Sequence, residues 1–155
     1  MKNKLAVIII GKQNSGKTTT IKYFDKIFDE NEKLKKYYRV GWRRLTMFKG
    51  KLDALFLLIY FVPASPTETQ KPLRDRLKNF KPELLLIAEQ LNGYEYQNTI
   101  HFLEKNNYEI VEFVLKNQSN QTWNNWNKQN MNEILNKRAI DIGDKFKDFI
   151  RERIK

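Results

Sequence analysis

Lys17 and Thr18, with glycines ahead of them at positions 11 and 16, are the residues of this chain best suited to chemistry on an anion. Residues 11–18 read Gly-Lys-Gln-Asn-Ser-Gly-Lys-Thr, a complete G-x-x-x-x-G-K-[ST] pattern, directly after the apolar run Leu5-Ala-Val-Ile-Ile-Ile10. A phosphate cradle needs a buried strand that stops abruptly, a chain that wraps the anion, and a helix whose first N–H groups point at it. Gly11 and Gly16 permit backbone angles and close approaches that a Cβ would block. Lys17 brings a point charge to the β- and γ-phosphates, and the Thr18 hydroxyl suits Mg2+. The next segment, Thr18 to about Phe28, carries Ile21, Phe24 and Ile27 or Phe28 at helical spacing, an apolar face that docks on a sheet.

Over Leu5 to Phe28 the chain resembles the P-loop NTPase superfamily, whose members bind ATP or GTP with magnesium on a three-layer α/β fold. The resemblance implies that Gly11 opens the loop and that the backbone of Asn14, Ser15, Gly16 and Lys17 wraps the phosphates. It further implies that Lys17 bridges them in binding and catalysis, that Thr18 ligates Mg2+, and that Thr19 lies near the α-phosphate. P-loop enzymes also use an acid at a strand end, commonly four apolar residues followed by Asp-Glu, to hold magnesium and activate water. Leu84-Leu-Leu-Ile-Ala-Glu89 departs from that pattern, with alanine where the metal-shell aspartate is expected. Glu89 then either joins Thr18 on the metal or acts as the catalytic base; the plain alternative is a carboxylate that caps or solvates the exit loop. The string Ile87-Ala-Glu-Gln90 is loosely similar to the acid-containing strand of thymidine kinases. Asp53 precedes its strand and belongs at the opposite sheet edge. The Asn-Lys-x-Asp of GTPases is approached only by Asn127-Lys-Gln-Asn130, which lacks the acid, so ATP is favoured over GTP.

The chain has 155 residues, enough for one well-buried domain, and 1–155 is read as a single nucleotide-binding domain. No stretch approaches the roughly 18 apolar residues of a membrane span. The basic start Met-Lys-Asn-Lys-Leu imitates a signal peptide, but secretion would discard the strand that positions the loop, so a cytoplasmic location is expected. Cysteine is absent, which excludes disulfides and thiolate chemistry, and His101 is a lone histidine, which excludes a His-rich metal site. The net charge of +11 has two readings, a nucleic-acid partner or a composition rich in Lys, Asn and Ile.

The rest of the chain supplies the elements that would hold this site. Asp29 to Lys36 reads as a solvated helix end and loop, and Tyr37 to Phe48 as a strand. Ala54 to Val62 is an uninterrupted apolar strand expected at the sheet centre and buried on both faces, its hairpin partner running antiparallel. Ser65, Pro66 and Glu68 form a capping box for a helix from Pro66 to Phe80, although the segment also leaves a strand's C-terminal end, where ligands sit. Lys71, Arg74, Arg76 and Lys78 make that helix basic, either as a solvated face or as a lid. A helix from Tyr96 to Asn107 and a strand from Tyr108 to Leu115 follow. Trp123 and Trp126 either stack a base or anchor the last helix, Met131 to Lys155, whose stripe of Ile134 or Leu135, Ile142, Phe146, Phe149 and Ile150 packs on the sheet or on a second subunit.

These features lead to an α/β domain with a mostly parallel sheet of about five strands. The expected function is Mg2+-dependent ATP binding, as an ATPase or ATP-driven switch. The alternatives are a small kinase for a nucleoside or nucleotide and a non-hydrolysing binding module with a nucleic-acid or protein partner.

Overall fold

A computed structural model describes residues 2–12, 16–28, 41–48, 54–63, 65–77, 81–90, 92–115 and 128–153. Three continuous apolar runs and two mixed segments become strands: β1 (Lys4–Gly11), β3 (Ala54–Val62) and β4 (Leu84–Gln90) are the apolar ones, and β2 (Gly41–Phe48) and β5 (Tyr108–Val114) the mixed ones. The sheet order is β2-β3-β4-β1-β5. The four strands β3, β4, β1 and β5 are parallel, and β2 pairs antiparallel with β3 as the hairpin reading requires. Residues 5–10 of β1 are buried without exception, as expected of a parallel strand covered on both faces.

Alternation along β1 sorts its side chains into two cores. Leu5, Val7 and Ile9 face Ile21 and Phe24 of α1 (Lys17–Phe28) and Ala139, Ile142, Phe146 and Phe149 of α5 (Lys128–Arg153). Ala6, Ile8 and Ile10 face the other way, towards Leu73 and Leu77 of α3 (Leu73–Leu77) and Leu103 of α4 (Tyr96–Lys105). Helices therefore flank the sheet on both faces. The α5 stripe closes on this chain's own sheet and on α1, where Phe24 and Phe146 meet with ring centroids 6.3 Å apart. Among the described residues no helix is long and apolar enough to cross a membrane.

Two expectations are corrected. The centre of the sheet is β4, not β3: β3 reaches β4 only over Tyr60–Val62, and Leu58 is 56% exposed. Phe61 and Val62, which do pair with β4, are both fully buried. The helix expected over Pro66 to Phe80 is broken into α2 (Pro66–Thr69) and α3. Gln70 takes a left-handed φ of 56°, and the Lys71 N–H returns to the Pro66 carbonyl at 3.2 Å, the six-to-one bond of a helix stop. Pro72 explains the break, since it has no N–H to give and steers Lys71 away from helical angles.

At the start of β5 the Tyr108 phenol is buried and donates to the Pro82 carbonyl at 2.5 Å, tying β5 to the entry of β4. Burial raises its pKa above the ordinary 10.0, so the folded state holds this proton more tightly than the unfolded chain does. The associated stability is whole below about pH 10 and is lost as pH rises beyond it. Tyr108→Phe is expected to cost about 1 kcal/mol near neutrality and to flatten the alkaline loss, read as urea midpoints of both proteins against pH.

Candidate functional site

β1 delivers Gly11 to the C-terminal end of the sheet, level with Gln90 of β4. Gly16 then turns the chain into α1 with a φ of 88°, a left-handed angle that glycine adopts without a steric penalty. Its carbonyl accepts the Thr20 N–H at 2.8 Å, so the helix starts immediately. The first turn of α1 contains no acidic residue, which leaves its positive end without a carboxylate of its own. Gln13, Asn14 and Ser15 lie outside the described residues.

Lys17 is only 4% exposed. Its Nζ donates to the carbonyls of Gly11, at 3.0 Å, and Lys12, at 2.9 Å, which folds the cation back across the start of the motif. The half-buried Thr18 donates its hydroxyl to the Pro63 carbonyl at 3.2 Å, just past the end of β3. Thr19 is also half-buried beside it. Thr20 is buried and accepts from Arg138 Nη1 of α5 at 3.0 Å, where burial lowers the guanidinium pKa to about 10.

Glu89 is 0% exposed. By the alternation of β4 it shares a face with Leu85 and Ile87, opposite α1, whereas Ala88 packs into the core with Ile21 and Phe24. Its Oε1 accepts the Thr67 hydroxyl and the Gln90 N–H, each at 3.0 Å, and its Oε2 accepts the Thr99 hydroxyl at 2.8 Å. The carboxylate is thus held by α2 on one side and α4 on the other. Two aromatic and basic neighbours feel its charge. Burial lowers the Arg76 pKa while the Glu89 charge opposes that shift, and Arg76 also donates to the Thr69 hydroxyl. Tyr96 is pushed up to about 12 by burial and by its hydrogen bond to Glu112, with Glu89 adding to the effect.

Gly11, Gly16, Lys17, Thr18 and Thr19 lie together past the C-terminal end of β1. Thr18 and Glu89, the two expected metal-shell residues, make different hydrogen bonds, one to Pro63 and the other to Thr67, Gln90 and Thr99. Among the described residues no three His, Cys, Asp or Glu side chains cluster around a metal-sized site. Ser65 is buried, and its carbonyl accepts both the N–H and the hydroxyl of Thr69, at 3.1 and 2.9 Å; the side chain of Glu68 lies outside the described residues. Asp53, Lys78, Trp123, Trp126 and Asn127 are likewise outside them. His101 is an exposed residue of α4. α3 and α5, which carry basic residues, pack on opposite faces of the sheet.

Sequence reading placed Pro63 and Thr67 only within the strand-end segment Pro63–Glu68, without roles of their own, and missed Thr99. A signal existed for Thr99, which lies four residues before buried Leu103 on the apolar face of α4, where a lone hydroxyl requires a buried partner. No family model matches this chain, and no curated protein or solved structure proved significantly similar to it.

Proposed function

We propose that this protein has the three-layer P-loop NTPase fold, binds a nucleoside triphosphate with Mg2+, prefers ATP, and works as an ATP-driven switch with slow hydrolysis. The observation that carries the reading is Lys17: a nearly buried cation held across the carbonyls of Gly11 and Lys12, at the mouth of a glycine turn that opens a helix. Phosphate oxygens that replace those two carbonyls would receive charge-assisted hydrogen bonds in their place. Thr18 takes the metal, and Thr19 with the α1 N–H groups completes the cradle. The absence of the Asn-Lys-x-Asp signature favours ATP.

Slow turnover follows from Glu89. A general base must come within hydrogen-bond reach of its water, and this carboxylate is closed off by two threonines. Hydrolysis then requires that Thr67 or Thr99 release it. Basal phosphate release is expected near the low end of the enzymatic range, about 1 per second or less.

A thermal-shift panel of ATP, GTP, ADP and nucleosides, with and without Mg2+, tests the binding claim. Preferential binding to the folded state raises the melting temperature by an amount set by ligand concentration over Kd. The expected order is Mg·ATP above Mg·GTP, with free nucleosides ineffective. Equal shifts for adenosine and ATP would reject a phosphate-directed site.

A further inference from the structure

One short segment touches both halves of the candidate site. Pro63, its first residue, accepts the Thr18 hydroxyl at 3.2 Å. Four residues on, the Thr67 hydroxyl donates to Glu89 Oε1 at 3.0 Å and accepts the Glu95 N–H at 3.2 Å, while the Tyr94 hydroxyl donates to the Thr67 carbonyl at 3.1 Å. The turn before α4 is moulded onto Thr67: a Cβ at Gly93 would lie 2.3 Å from Thr67 Oγ1 and 2.9 Å from its Cβ. Pro63, Ser65, Pro66 and Thr67 are all buried, so these four residues are packed rather than solvated.

From this chain of contacts we propose that residues 63–69 transmit occupancy of the Gly11–Thr19 site to Glu89 and to the start of α4, with Thr67 as the coupling residue. The proposal rests on the nucleotide-binding reading. A hydroxyl has one proton and two lone pairs, so a cation on Thr18 Oγ1 fixes the direction in which that proton points and resets its contact with Pro63. Closely packed elements respond to such shifts by moving between discrete arrangements. Thr67 cannot move without disturbing a carboxylate, a backbone N–H and the Gly93 contact together. The readout at the surface is Tyr94, which is 63% exposed and bound to the Thr67 carbonyl.

Hydrogen exchange followed by mass spectrometry, with and without Mg·ATP, tests this on the full chain. The informative amides are Thr69 and Lys71 on one side, bonded to Ser65 and Pro66, and Glu95, Tyr96 and Thr99 on the other, bonded to Thr67, Gly93 and Glu95. In the wild type both groups are expected to change on binding. Thr67→Val is expected to retain Mg·ATP binding, because Thr67 bonds to Glu89, Tyr94 and Glu95 rather than to the Gly11–Thr19 site, with affinity shifted only by the coupling it carries, about fivefold at the lower end of such effects. It should retain the response at residues 69–71 and lose it at 95–99. Thr67→Ser, which restores the hydroxyl, should recover the lost response, and Gly93→Ala should behave like Thr67→Val. Calorimetric binding with no exchange change at 95–99 in the wild type, or an unaltered response in Thr67→Val, overturns the coupling and leaves nucleotide binding standing. Absence of any binding heat in the wild type overturns both.

Discussion

Lys17→Ala is expected to weaken Mg·ATP binding by about 10²-fold or more while the protein stays folded. The Nζ group donates to two carbonyls at 2.9 and 3.0 Å, so it is positioned to make two charge-assisted hydrogen bonds to phosphate oxygens. At roughly 1.5–3 kcal/mol for each such bond and about 1.4 kcal/mol per tenfold in Kd, a hundredfold loss is the lower bound. Folding should survive, since water can replace the amine at the carbonyl of exposed Lys12, while the Gly11 carbonyl, freed from a buried hydrogen bond, costs about 1 kcal/mol. Calorimetric titration, with circular dichroism as the check on folding, gives the answer. Equal affinity in mutant and wild type would remove the P-loop assignment and with it the proposed function.

Glu89→Ala should be the most damaging change to stability within the candidate site. It leaves two threonine hydroxyls and one N–H in a dry region without their acceptor and opens a cavity beside Leu85 and Ile87. A cost of about 3 kcal/mol follows from three donors left without their acceptor, equivalent to roughly 6–12 °C in melting temperature for a chain of this size. Glu89→Gln retains the volume and one carbonyl oxygen, so its cost should be smaller, about 1 kcal/mol. The same variant separates two roles for the acid. If Glu89 is the base, Gln lowers turnover by about 10² while ATP affinity moves no more than a few-fold. Unchanged turnover in a destabilised variant would leave Glu89 as a structural tie between α2 and α4.

The elements that could be read from sequence are those whose residues carry their own instruction. β1 and β4 are unbroken apolar runs, α5 repeats its apolar residues at helical spacing, and the glycines of residues 11–16 announce a turn. The break after Thr69 was also encoded, by Pro72, but the capping pattern at Ser65 and Pro66 is an equally good start for a long helix and hides the stop. Strand order is different in kind. Nothing in Ala54–Val62 says that only its last three residues will meet β4, because that depends on the β3–β4 register, which begins at Tyr60 and Leu85. The surroundings of Glu89 are likewise illegible locally. Its partners Thr67 and Thr99 are 22 and 10 positions away, and only packing of α2 and α4 over one sheet face brings them together.

β5 closes the sheet on the side away from β2, and among the described residues its outer edge has no partner strand. Its sequence, Tyr-Glu-Ile-Val-Glu-Phe-Val, would be an excellent template for strand addition were it not for Glu109 and Glu112, both exposed. These two carboxylates are gatekeepers: a second copy laid edge to edge would have to bury or oppose them. That protection rests on two side chains alone, so substitution can remove it. Glu109→Gln combined with Glu112→Gln should consequently scatter more light in concentrated solution than the wild type does.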